Sequence, residues 1–223
     1  MLSIAVAGET ALLHPSGAVY LPARGMALVA DAHFGKAVAF RKLGLPVPEA
    51  TTGGTLQQLS RVVEDTGARE VVFLGDFLHS AQARSPAVLD ALHAWREAHP
   101  SLRLTLVRGN HDARAGDPPG TLLVRVFDEP FRAGPFALCH HPDPVTDAYV
   151  LAGHWHPCVT VRGRAFERLR LPCFWFGDES QPARAVGVLP AFGSFTGMHP
   201  VAAQPGDRLF AIAQDAVRAL PPG

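Results

Sequence analysis

No stretch of this chain approaches the roughly 20 consecutive apolar residues that a membrane-spanning helix needs. The longest runs, such as Val71 to Leu74 and Tyr149 to Ala152, stop far short, so neither a span nor a membrane partner is expected. The first residues, Met1-Leu2-Ser3-Ile4-Ala5-Val6-Ala7, lack a basic region, and Gly8-Glu9-Thr10 breaks the apolar run at once. A secretory signal is therefore not expected, and the protein is expected in the cytoplasm. Cysteine is scarce. Cys139, Cys158 and Cys173 make an odd number at irregular spacing with no C-x-x-C pair, which argues against a disulfide framework and a structural zinc knuckle and leaves reduced thiols. Charge of either sign in excess is missing too: Lys plus Arg and Asp plus Glu balance at 20 each. The broad positive field of a strong non-specific DNA binder is thus absent, and any grip on nucleic acid has to be local. Internal repeats and low-complexity linkers are also lacking. Residues 1–223 are expected to form one domain, and a 48% hydrophobic content is enough for a substantial core.

What is present is a recurring pattern. Two short extended segments, Ile4 to Ala7 and Ala18 to Leu21, precede the apolar run Met26-Ala27-Leu28-Val29-Ala30, which ends on Asp31. Val71-Val72-Phe73-Leu74 runs into Gly75-Asp76, and Leu102 to Val107 into Gly109-Asn110-His111-Asp112. Phe136 to Cys139 runs into His140, and Tyr149 to Ala152 into Gly153-His154. Each run stops at a residue able to bind a cation. Short continuous apolar runs fit strands buried on both faces. Helical spacing lies between them, in Leu56, Leu59, Val62 and Val63 and in Val88, Leu89, Leu92 and Trp95 after Pro86. An alternating strand and helix order brings strand C-termini to one edge, where ligands converge. Beyond Pro157 the segments Val159 to Val161, Phe166 to Leu171, Ala185 to Val188 and Leu209 to Ala213 read as strands of a second sheet. The expected architecture is α/β, a four-layer αββα sandwich with a dinuclear site at the strand C-terminal ends.

Asp31 and His33 stand two apart, and an extended backbone returns such side chains to one side. Asp76 carries two carboxylate oxygens suited to bridging two cations. Asn110 offers an amide oxygen, and His140, His154 and His156 offer ring nitrogens. This thiolate-free set of carboxylate, amide and imidazole favours Mn²⁺, Fe or Zn²⁺. Two such ions sit roughly 3.5 to 4 Å apart in enzymes that hydrolyse phosphate esters in line, polarising the phosphoryl oxygen and generating hydroxide near neutral pH. Gly75, Gly109 and Gly153 each precede a ligand, where a Cβ would crowd a sharp strand exit.

In order, Asp31-x-His33, Gly75-Asp76, Gly109-Asn110-His111-Asp112, His140 and Gly153-His154-x-His156 resemble the calcineurin-like metallophosphoesterase family motif by motif. The ordered set is far more specific than any single motif. The resemblance implies that Asp31, His33 and His156 hold one metal, that Asn110, His140 and His154 hold the other, and that Asp76 bridges them. It makes His111 the catalytic histidine that protonates the leaving oxygen or steadies the phosphoryl group, with Asp112 orienting its imidazole. Phe34-Gly35-Lys36, Phe77-Leu78-His79-Ser80 and the late Leu189-Pro190-Ala191-Phe192-Gly193-Ser194-Phe195-Thr196-Gly197 are similar to one branch, the ligase-associated DNA damage response endonucleases; Met198 stands where that branch would carry a further glycine. That branch implies a Mn²⁺-dependent phosphodiesterase acting on DNA, with a DNA ligase and a helicase as partners.

Other residues carry two readings each. His79 is either a phosphate or base contact over the metals or a structural hydrogen bonder. Lys36 and Arg41 either neutralise substrate phosphate or lie solvated on a helix face. His141 is expected to point away from the metals, and His14, His93, His99 and His199 to be surface or packing residues. Arg162 with Arg164, and Arg168 with Arg170, share strand faces that either track a DNA backbone or protect a sheet edge. Phe174-Trp175-Phe176 is expected in the core, the other reading being base stacking. Two functions besides DNA cleavage stay open: hydrolysis of cyclic nucleotides or other small phosphoesters, and an inactive scaffold, against which the intact His111 argues.

Overall fold

The computed structural model describes residues 1–42, 51–162, 168–194 and 196–221. Seven strands form a first sheet in chain order: β1 (Leu2–Val6), β2 (Glu9–Leu13), β3 (Val19–Leu21), β4 (Met26–Ala30), β5 (Glu70–Leu74), β6 (Arg103–Val107) and β7 (Val124–Phe127). β1 to β4 pair antiparallel, and β4 to β7 pair parallel. The parallel half is built by helical crossovers. Helices α1 (Lys36–Lys42) and α2 (Thr51–Thr66) link β4 to β5, α3 (Pro86–Ala98) links β5 to β6, and a short α4 (Asp112–Ala115) follows β6.

Helix α2 turns Leu56, Leu59 and Val62 inward, and α3, opened by Pro86 at its first turn, turns Val88, Leu92 and Trp95 inward. These faces pack with Val29, Val71, Phe73 and Leu106 of the sheet into one core. The Trp95 indole N–H donates to Ser60 Oγ at 2.9 Å, tying α3 to α2. The opposite face of the sheet, with Leu28, Ala30, Val72 and Leu74, meets Phe136, Leu138, Leu151, Phe174 and Phe176 in a second core. β4 and β5 are therefore buried on both sides, which is why they read as unbroken apolar runs.

The second sheet holds β8 (Phe131–Ala133), β9 (Phe136–Leu138), β10 (Tyr149–Ala152), β11 (Pro157–Arg162), β12 (Arg168–Phe176), β13 (Val186–Val188), β14 (His199–Pro200), β15 (Arg208–Ala213) and β16 (Ala216–Ala219). Its main path runs β14, β11, β12, β13, β10, β9, β8, with β15 added on β12 and β16 on β15. The expected fourth layer is corrected here. Among the described residues no α-helix follows Ala115, and the outer face of the second sheet, around Ala137, Cys139, Val150 and Val188, is packed by Val145 and Ala148 of a loop. A segment punctuated by Pro142 and Pro144 cannot continue a helix there. Phe174 and Phe176 lie in the core as expected, whereas Trp175 is only half-buried. Cys139, Cys158 and Cys173 are buried and unpaired.

Candidate metal centre

The ligand-bearing residues meet where β4, β5, β6, β9 and β10 end. After β4 and β5 the two loops zip together: His33 N–H donates to the Asp76 carbonyl at 2.9 Å, Phe34 N–H to the Phe77 carbonyl at 2.8 Å, and His79 N–H to the Phe34 carbonyl at 3.1 Å. Beneath them Phe34, Phe73 and Phe77 pack edge to face. The late segment covers the other side of the first loop, with Phe192 N–H on the Ala30 carbonyl at 2.9 Å and Gly193 N–H on the Asp31 carbonyl at 3.1 Å. A Cβ at Gly193 would lie 2.3 Å from the Ala32 oxygen, so only glycine fits that approach.

Five of the seven candidate ligands hold left-handed backbone: Asp31 at φ 52°, His33 at 45°, Asp76 at 51°, His154 at 69° and His156 at 47°. L-residues adopt this region at a cost of roughly 1–3 kcal/mol each, and such strain gathers at functional sites. It turns each side chain sharply off the end of its strand. The glycines before the ligands make the room. A Cβ on Gly75 would fall 2.1 Å from His140 Nδ1, and one on Gly153 would fall 2.5 Å from Asp31 Oδ2.

Asp76 stands between two groups. Its Oδ2 lies 3.7 Å from His33 Nε2, and its Oδ1 lies 3.6 Å from His140 Nε2. On the first side Asp31 Oδ1 and His156 Nε2 are 3.5 Å apart, both buried and both without a hydrogen-bond partner. His156 Nδ1 faces the Gly197 carbonyl at 3.0 Å. That contact makes Nδ1 the donor and leaves the Nε2 lone pair for a cation. On the second side His140 Nδ1 donates to the Leu74 carbonyl at 3.1 Å, so its Nε2 is also a lone pair. Yet Nε2 lies 2.8 Å from Asn110 Oδ1 and 3.0 Å from His154 Nδ1. Lone pairs crowded in this way fit a shared cation. Burial pushes His33 far below its ordinary pKa, and Lys36 and neighbouring histidines add to the shift; His154 is lowered by burial and by His140 and His141. Neutral imidazole is the form that binds metal. Buried His and Asp groups here can hold metal ions.

His111 donates its backbone N–H to Asp76 Oδ1 at 2.9 Å. Its Nδ1 donates to the His79 carbonyl at 2.7 Å, and its Nε2 faces the centre, 3.9 Å from Asp76 Oδ2. Asp112, expected to orient the His111 imidazole, has a carboxylate that accepts the backbone N–H groups of Asp76 at 2.8 Å, Phe77 at 3.0 Å and Gly109 at 2.8 Å. Asp112 opens α4, and consecutive helical residues point about 100° apart, so it turns away from His111 and gathers loops instead. Burial raises its carboxyl pKa against the pull of those three donors.

His79 stacks on His111 with ring centroids 5.1 Å apart, and burial, with Lys36 and His111, lowers its pKa to about 4. Lys36 is lowered by burial while the Asp31 and Asp76 carboxylates pull it upward, which places its charge within their reach. His141 is tied to Glu129 Oε1 at 2.7 Å, and its ring lies 4.7 Å from that of His154. Glu129 is a residue the sequence did not mark. Its Oε2 accepts the N–H groups of His140 at 2.7 Å and His141 at 3.0 Å, fixing the ligand loop from outside. Arg168 and Arg170 are exposed on one face of β12, and Arg164 and Phe195 lie outside the described residues.

No protein-family model and no curated protein matches the chain. Among solved structures it is similar to the Pseudomonas putida nuclease MPE, with 40% identity, 98% of this chain and 99% of that one covered, and a TM-score of 0.85. A phosphoesterase of Escherichia coli, Yfce, shows 12% identity over 86% of this chain and 90% of its own at a TM-score of 0.38. A protein of unknown function from Aquifex aeolicus, AQ665, shows 20% identity over 59% and 78% at the same score. Neither of these two overlaps is close enough to bear on the reading. At 40% identity over nearly its whole length, the chain belongs to the metallophosphoesterase nuclease family represented by the Pseudomonas putida nuclease.

Proposed function

We propose that this protein is a dinuclear-metal-dependent phosphodiesterase that cleaves DNA in the processing of damaged strands. The observation that carries the reading is Asp76, whose two oxygens face separate ligand groups at 3.6 and 3.7 Å. Asp31, His33 and His156 would hold one divalent ion and Asn110, His140 and His154 the other, with Asp76 shared and Mn²⁺ favoured by the donor set. When bound, the two ions supply Lewis-acid activation of the phosphoryl group and of water. Lys36, beside the Asp31 and Asp76 carboxylates, contributes positive charge to the phosphate. His111 holds a proton on Nδ1 through the His79 carbonyl and turns Nε2 toward the centre, where it delivers a proton to the departing oxygen. Glu129 and Asp112 hold the ligand loops in place. Nuclease activity is named for the 40% identical relative and supports a nucleic acid as the substrate.

The test is a panel with Mn²⁺: single-stranded, double-stranded and nicked end-labelled DNA beside 2′,3′- and 3′,5′-cyclic nucleotides and bis(p-nitrophenyl) phosphate, with His111→Ala as control. Metal-dependent DNA cleavage is expected. Turnover of small esters with every DNA form left intact would replace the DNA reading with a small-phosphoester one, and inactivity on the whole panel would leave a scaffold.

A further inference from the structure

A groove of about 400 Å³ opens beside the segment that carries His154 and His156, and Trp155 and Trp175 form part of its wall. Trp155 lies between His154 and His156, whose left-handed backbones fix it from both sides. Its side chain is nevertheless 43% exposed. One side of the indole rests on Trp175, with ring centroids 5.5 Å apart and planes at 35°. Trp175 is itself held in place. Its N–H donates to Asp207 Oδ2 at 3.0 Å, and Asp207 is buried and paired with Arg184. The far wall belongs to β14, where His199 N–H donates to the His156 carbonyl at 3.0 Å. The groove thus adjoins the segment from His154 to His156: Trp155 and Pro157 line one wall, and β14 is bonded to the His156 carbonyl.

An indole left in water forgoes the stabilisation that burial of so large an apolar surface provides. Here the ring is flat, backed by a second anchored ring, and one residue away from two metal-binding histidines. Such a surface suits stacking, which every nucleobase can supply and which tolerates any sequence. We propose that Trp155, backed by Trp175, stacks an unpaired base of the strand whose phosphate sits at the metal centre. The inference rests on the DNA-cleaving reading and deepens it. Within a duplex both faces of each base are already covered by neighbours, so the platform selects a strand that is single or locally unstacked. The base, held on a fixed ring, would set the position of the adjoining phosphate over Asp76.

The experiment compares kcat/KM, with Mn²⁺, on a short oligothymidylate and on the same oligomer built from stable abasic units. Wild-type protein, Trp155→Ala and Trp155→Phe are measured together with bis(p-nitrophenyl) phosphate. Wild type is expected to favour the base-bearing oligomer about tenfold or more, the scale of one base stacked on an aromatic ring. That preference should collapse toward one in Trp155→Ala and largely return in Trp155→Phe. Because each preference is a ratio within one variant, a loss of folded or metal-loaded protein cancels. An unchanged preference in Trp155→Ala would overturn the stacking site while leaving DNA cleavage standing. Wild type that hydrolyses bis(p-nitrophenyl) phosphate but neither oligomer would overturn the DNA reading, and this inference with it.

Discussion

Asp112 accepts the backbone N–H of Asp76 at 2.8 Å, so the carboxylate that faces both ligand groups is positioned by a residue from a different loop. The same carboxylate takes the N–H groups of Phe77 and Gly109, the latter immediately before Asn110. The bonds of Asp112 thus run to the backbone of the loops that carry Asp76 and Asn110. In Asp112→Asn the amide would turn an N–H toward one of three N–H donors, and bonds to a charged acceptor would be lost. Stability should fall by about 2–3 kcal/mol, read as a lower midpoint in urea at unchanged slope. Bound Mn²⁺ per chain should fall in step with activity. Full metal content with activity alone reduced would show that Asp112 serves the proton-transfer step after all.

The two sides of Asp76 make a stoichiometric prediction. Removing a shared ligand has to weaken both ions, whereas removing a ligand of one ion weakens that ion first. Asp76→Ala should bind neither ion firmly, while His156→Ala, which removes the nitrogen 3.5 Å from Asp31 Oδ1, should keep about one. Elemental analysis after gel filtration decides it. Equal losses in the two variants would count against a bridging Asp76.

The convergence of the seven candidate residues was legible in the sequence because each ends or follows a buried strand, and buried strands announce themselves as apolar runs. β4, β5, β6 and β10 were readable for that reason. Less visible were β7, whose residues alternate between half-buried and exposed, and β8, which has only three residues with exposed Arg132 in the middle, so neither leaves an apolar run. Glu129 falls between those two strands and reaches His140 across the chain, so no local pattern marks it. The left-handed backbone of Asp31, His33, Asp76, His154 and His156 was also hidden, since these residue types adopt it only where the surrounding fold compels them. The three backbone donors to Asp112 were hidden as well, since two of them lie on the distant loop after β5. Trp155 was unmarked because its two flanking histidines drew the whole reading, and its exposure depends on Trp175 from a distant strand.

Cys173 gives a prediction independent of the metals. Burial pushes its thiol up to about 12, against about 8.5 for a free cysteine. The folded protein keeps the proton over that interval while the unfolded chain releases it. The contribution to stability is therefore complete below about 8.5 and is lost as pH rises toward about 12. Iodoacetamide at pH 8 should leave Cys173 unlabelled in the folded protein and alkylate it in guanidinium, as mass spectrometry of the peptides would show. Rapid labelling of the folded protein would mean that β12 opens far more readily than its buried position implies.

The leaving group separates the two roles open to His111. An acid that protonates the departing oxygen matters most when that oxygen is basic, as the deoxyribose oxygen of DNA is, and little when it leaves readily as p-nitrophenolate. A residue that only steadies the phosphoryl group matters for both. The geometry, with Nδ1 held by the His79 carbonyl and Nε2 turned toward the centre, favours proton delivery. His111→Ala should then lower kcat on DNA by about 10²–10⁴-fold, with much smaller loss on bis(p-nitrophenyl) phosphate and metal content preserved. His111→Gln, which keeps a hydrogen-bond donor without a titrating proton, should resemble the alanine variant on DNA. Comparable losses on the two substrates would assign His111 to phosphoryl stabilisation and leave the proton to be supplied by water.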